Sequence, residues 1–116
     1  MSPDEKLRLT HIAEAAALIA DYLKGVSKET FLNDRLRQDA VIRRIQIIGE
    51  AVRHLSRELL VSMPDFPAKQ ARGMRKVLVH DYEVLNLERL WETATQDIPA
   101  IKRVVENRLQ ARTDSN

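Results

Sequence analysis

Val41, Ile45, Ile48, Val52, Leu55 and Leu59 recur in alternating steps of four and three along one stretch of the chain. A seven-residue repeat of this kind draws one stripe down a helix and cannot serve a strand, whose side chains alternate with a period of two. A long helix is therefore expected from Asn33 or Asp34, either of which can cap it, and it must bury its stripe against other elements. Ile42 and Ile47 lie off the stripe, so a second face is apolar too. Such a helix either lies central in a bundle or serves a partner chain. Gly49 in its middle costs about 1 kcal/mol against alanine, which points to a close approach by another backbone.

The remaining segments read the same way. Ser2-Pro3-Asp4-Glu5 is a helix start, with Ser2 as cap, Pro3 at the first helical position and Glu5 completing a capping box. Leu9, Ile12, Ala16, Ile19 and Leu23 then form a stripe that Gly25 is suited to end. Ser27 and Thr30 open a short helical turn through Leu32. Met63-Pro64-Asp65-Phe66-Pro67 is a loop set by two prolines, followed by a helix from about Ala68 through Val79. Asn86 caps another helix with Leu87, Leu90, Trp91 and Ala94 on its buried face. Pro99 is expected to interrupt it before a final segment carrying Ile101, Val104, Val105 and Leu109. No stretch reads as a strand. The expected fold is all-α, an up-and-down bundle of four to five helices in a single domain over residues 1–116, with 111–116 as a frayed tail.

A chain of 116 residues, 44% of them hydrophobic, can bury a real core without staples. Aromatic residues make up only 4% of it, which argues against the ring platforms of single-strand binders. The absence of cysteine excludes disulfides and thiolate metal sites. No apolar run approaches the roughly 18 residues of a membrane span, and the first residues carry no signal-peptide core. A cytoplasmic protein without membrane partners is expected. The net charge of +2 is too small to argue for nucleic acid by itself. Arginines between Arg35 and Arg57, and the cluster Lys69, Arg72, Arg75 and Lys76, read first as solvated helix faces.

The segment from Gly73 to Tyr82 carries the chemistry. It sets Arg75, His80 and Tyr82 in the spacing R-x4-H-x-Y. Arginine offers a permanent planar cation suited to phosphate, and histidine can take and give a proton near neutral pH. RNA can be cleaved without a metal when its 2′-hydroxyl attacks the adjacent phosphate. A base must take that proton and a cation must stabilise the phosphoryl oxygens. His80 fits the first role and Arg75 the second; RNA rather than DNA is the expected substrate. On spacing alone the blander account stands ahead, with His80 capping a helix C-terminus and Arg75 in a surface ion pair. On an ideal helix, moreover, His80 sits roughly 140° around from Arg75. The helix must end near His80, or a second subunit must complete the site. His11, His54 and His80 lack ligand spacing, so neither a metal nor a cofactor is expected.

Ile48-Gly49-Glu50-Ala51, then Gly73-Met74-Arg75 through Val79-His80-Asp81-Tyr82, then Leu90-Trp91-Glu92 and Ile98-Pro99 resemble the HepT-type toxins of the HEPN superfamily. The resemblance implies a helical homodimer whose R-x4-H-x-Y segments meet in a cleft, and a metal-independent endoribonuclease that leaves a cyclic phosphate. Arg75 and His80 would be its catalytic pair. It also implies a minimal nucleotidyltransferase antitoxin as partner, which in some pairs adds AMP to the motif tyrosine, here Tyr82. The residue after the motif arginine is usually asparagine; here it is Lys76, an extra cation that, with Arg72, can contact phosphate. The alternative expectation is a catalytically weak dimer that serves as scaffold for the nucleotidyltransferase. A plain structural helical dimer is a third.

Overall fold

The computed structural model describes residues 1–78 and 86–114, and among these all regular structure is helical. In chain order the elements are α1 (Pro3–Leu23), α2 (Lys28–Leu32), α3 (Arg35–Arg53), α4 (Arg57–Val61), α5 (Ala68–Leu78), α6 (Leu87–Glu92), a π-helical turn (Thr93–Asp97) and α7 (Ile98–Asp114). The core is one cluster. Leu9, Ile12 and Ile19 of α1 meet Val41, Ile45 and Ile48 of α3 and Ile101 and Val105 of α7. Phe31 of α2 closes one end of it, packed against Trp91 with ring centroids 5.3 Å apart.

Local signals explain most helix starts. Ser2, Ser27, Asp34 and Asn86 each accept a hydrogen bond from the backbone N–H three residues on, as N-caps do. Gly25 takes φ +73°, the left-handed conformation that ends α1 without a Cβ penalty. Arg37 then seals that end: its Nε donates to the Tyr22 carbonyl at 2.9 Å and a terminal nitrogen reaches Asp34 Oδ2 at 2.6 Å. The Arg37 N–H, and after it the guanidinium, hold the Asp34 carboxyl below its ordinary value. Inside the core, Gln38 Nε2 donates to the Phe31 carbonyl at 2.9 Å, which satisfies a polar group at the α2–α3 corner.

Three expectations need correction. The α3 helix does not run on to Leu59. It stops at Arg53, and Ser56 caps a separate short helix, α4. Ser56 accepts the Leu59 N–H at 3.1 Å, and a residue far away in sequence holds it there: Glu5 Oε2 accepts both the Ser56 N–H at 3.2 Å and the Ser56 hydroxyl at 2.6 Å. Glu5 thereby serves both helices: after the Ser56 hydroxyl and N–H, the Ser2 N–H also helps to hold its carboxyl below the ordinary value, as a capping box requires, and its contact with the Ser2 hydroxyl is 3.5 Å. Second, Pro99 does not interrupt the last helix. It falls in the first turn of α7, directly after the π turn. Leu90, Ala94 and Ile98 are spaced four and four, so a straight α-helix would swing Ile98 about 80° from Leu90; the wider turn removes that drift and keeps all three buried. Third, no backbone approaches Gly49 among the described residues: a Cβ there would meet nothing within 4 Å. The last segment is helical as far as Asp114.

Candidate functional site

Helix α5 carries the basic cluster. The Pro64–Pro67 loop delivers it, with the Ala68 N–H bonded to the Phe66 carbonyl at 2.8 Å and the Ala71 N–H to the Pro67 carbonyl at 2.9 Å. Ala71 and Met74, three residues apart, point into the core. That choice of inner face leaves Lys69 and Arg72 exposed. Arg75 and Lys76 belong to the next turn of α5, and their side chains lie outside the described residues. His80, Asp81 and Tyr82 lie outside them altogether.

Two recesses flank α5. One, of about 550 Å³, opens between α3 and α5 and is lined by Gly49, Val52, Leu55, Phe66, Ala71 and Arg72. Its floor is apolar, and the missing Cβ of Gly49 deepens it. Glu50 stands at its edge on the surface, with Oε1 3.1 Å from His54 Nε2 and Oε2 3.5 Å from an Arg53 terminal nitrogen. The other recess, of about 450 Å³, lies between α5 and the α6–π segment, against Lys69, Arg72, Met74, Arg89, Thr93 and Asp97. Arg72 borders both. Burial pushes the Asp97 carboxyl above its ordinary value, while the Arg89 charge acts in the opposite sense.

The structure puts Arg72, one of the cations singled out in the sequence, on the wall of both recesses, and beside it in the second stand Arg89, Thr93 and Asp97, which the sequence did not single out. Arg89 belongs to α6, and Thr93 and Asp97 to the π turn that follows it; all three face α5 across the recess. The four-and-four spacing of Leu90, Ala94 and Ile98 was the available signal for that turn. Among the described residues, no three His, Asp or Glu side chains gather as a metal-binding group, and no helix is long and apolar enough to cross a membrane.

Comparisons with known proteins give consistent matches. A family model described as "Ribonuclease HepT-like" matches residues 12–108. A Methanocaldococcus jannaschii protein named "Gamma-glutamylcyclotransferase and putative RNase" is 38% identical over 105 residues, 90% of this chain but 47% of that protein. The "Putative RNase" of Caldanaerobacter subterraneus is 35% identical over 88% of this chain and 91% of its own length. The "Probable ribonuclease HepT" of Thermococcus cleftensis is 36% identical over 88% of this chain and 93% of its own. No solved structure matches the chain.

Proposed function

The chain belongs to the HepT-like ribonuclease family of the HEPN superfamily, and from that premise we propose that it is the endoribonuclease toxin of a type II-like toxin–antitoxin pair acting in the cytoplasm. The observation that carries this reading is the extent of the family match, residues 12–108, which takes in the whole R-x4-H-x-Y segment together with the helices that flank it.

In this reading His80 removes the proton from a 2′-hydroxyl of RNA and later returns a proton to the leaving 5′-oxygen. Arg75 holds the phosphate between them and stabilises the charge that builds on its oxygens. The products are a 2′,3′-cyclic phosphate and a free 5′-hydroxyl, and no metal takes part. Arg72 and Lys76 contribute further cations toward the strand. A homodimer brings two motif segments to one cleft. Its support is the apolar groove beside Gly49, which no part of the described chain fills. A minimal nucleotidyltransferase serves as antitoxin, and an AMP group placed on Tyr82 would block the strand with bulk and negative charge.

The test is incubation of the partner-free protein with cellular RNA in excess EDTA, beside a His80→Ala variant. Cleavage to cyclic ends by the parent and none by the variant is expected. Equal decay in both removes His80 from catalysis. Lys76 in the usual asparagine position favours a second reading, a weakly active scaffold for the nucleotidyltransferase; there the parent binds its partner but leaves RNA intact. A monomeric mass at micromolar concentration argues against the shared cleft.

A further inference from the structure

The cleavage scheme uses one phosphate of the substrate, yet the recess between α5 and the α6–π segment holds more positive charge than that scheme employs. Lys69 and Arg72 stand three residues apart on α5, and Arg89 faces them from α6. All three are exposed, and none forms an ion pair among the described residues. Elsewhere four described cations are tied, Arg35 to Asp39, Arg37 to Asp34, Arg53 to Glu50 and Lys102 to Glu106; what sets these three apart is that they line one recess. Three exposed cations around one concavity, against the single Asp97 carboxyl on which the Arg89 charge acts, form a site for an anion.

Its size and walls narrow the ligand. At about 450 Å³ the recess exceeds a lone phosphate and admits a phosphodiester with its sugar. Met74, almost wholly buried, gives an apolar floor, and Thr93 contributes a hydroxyl able to donate to an oxygen. Two guanidiniums add planar donor forks. Asp97 subtracts one charge, and the nearby Glu92 adds to the negative field on it. Position supplies the last constraint. Arg72 lies three residues before Arg75, about 5 Å along the helix axis, so a strand seated here continues toward the motif.

We propose that this recess is a second phosphodiester subsite, in which Lys69, Arg72 and Arg89 hold the RNA strand one helical turn from the reacting phosphate. The proposal rests on the ribonuclease reading for its ligand, and it adds the residues that set where the strand lies. Lys69 and Arg89 are binding residues here and take no part in proton transfer.

The experiment measures affinity for a single-stranded RNA as a function of salt, in the His80→Ala background so that the ligand stays intact. Adding Lys69→Ala and Arg89→Ala removes two phosphate contacts. The slope of log K against log salt should become shallower by about 1.4, which corresponds to roughly 25-fold weaker binding at 0.1 M salt. Asp97→Asn takes a negative charge out of the strand's path and should tighten binding by about fivefold, as much as one further phosphate neutralised. Lys24→Ala with Lys28→Ala, in the turn after α1 and at the start of α2 and outside the lining of the recess, should leave the slope unchanged.

An unchanged slope in the recess variant overturns the proposal, as does an equal loss in the Lys24/Lys28 control. Inorganic phosphate that displaces RNA from the His80→Ala protein, beyond matched chloride, but not from the recess variant assigns the recess to a free anion instead. The two readings fail separately. If the parent cuts RNA while the recess variant keeps the parent slope, the subsite falls and the ribonuclease stands. If the parent does not cut RNA but the slope drops as expected, the subsite stands alone. Absence of RNA binding in the His80→Ala protein overturns the subsite.

Discussion

Between α1, α3 and α7 the chain buries Leu9, Ile12, Ile19, Val41, Ile45, Ile48, Ile101 and Val105 at no more than 1% exposure, whereas the described side chains of α5 and α6 that are fully buried are Ala71, Met74 and Leu90, with Ala68, Leu87 and Trp91 half-buried against the core. The first region holds its position by aliphatic packing on several sides. The second is laid over it, two small inner faces with cations outside. Burial on the first side supplies the stability, so the second is free to carry charge that a core could not accept. Fold and chemistry are thus separable, and substitutions can test how completely.

The largest effect belongs to the chemistry. His80→Ala should lower the RNA cleavage rate by roughly 10²–10⁴-fold while urea unfolding midpoints stay with the parent; a matching loss of stability would show that the motif also holds the fold. Ile45→Ala works from the other side. This fully buried residue sits amid the α1–α3–α7 packing, and its truncation should cost about 2–5 kcal/mol in urea unfolding. Cleavage per folded molecule should be unaltered, and a fall in it would tie the two regions together.

Ser56→Ala is smaller and concerns the seam. It removes the α4 cap, worth about 0.5–2 kcal/mol, and the hydroxyl that holds the Glu5 carboxyl below its ordinary value of 4.5. A carboxyl depressed in the folded state stabilises it above the unfolded value, and that contribution is lost as pH falls through the folded value. Parent Tm should therefore drop as pH is lowered through and below 4.5, and the variant should show a flatter curve over the same range. Gly49→Ala is the smallest and has a diagnostic sign. With nothing within 4 Å of the new Cβ, alanine should stabilise the isolated chain by about 0.5–1 kcal/mol. Weaker self-association in the same variant, read by light scattering, would identify the groove as the contact between copies.

What the sequence made legible was whatever depends on near neighbours. The caps at Ser2, Ser27, Asp34 and Asn86, the stop at Gly25 and the stripes of α1 and α3 each follow from residues within a turn or two. The break after Arg53 was hidden because Leu55 and Leu59 keep the phase of the preceding repeat and are buried beside it. The cap at Ser56 that opens the next helix is held by Glu5, 51 residues away. At the site, the cluster on α5 could be read from spacing. Arg89 and Asp97 could not, because they reach it across the fold, and Asp97 from a turn that does not follow the α period. The roles of Arg75, His80 and Tyr82 rest on the motif and the family rather than on described side chains.

The π turn at Thr93–Asp97 also fixes how much chain may stand between Leu90 and Ile98. Loss of a single residue there, the exposed Gln96 for instance, would leave seven steps between Leu90 and Ile98, which an ordinary α-helix turns through about 700°, within about 20° of the same face. The turn would close as an α-turn and α7 would keep its seating on α1. Loss of a second residue would swing Ile98 about 120° off that face, taking Ile101 and Val105 from α1 and Arg108 from its 3.2 Å bond to the Ser62 hydroxyl. The segment thus stores one residue of slack, which the helix tolerates losing once and not twice.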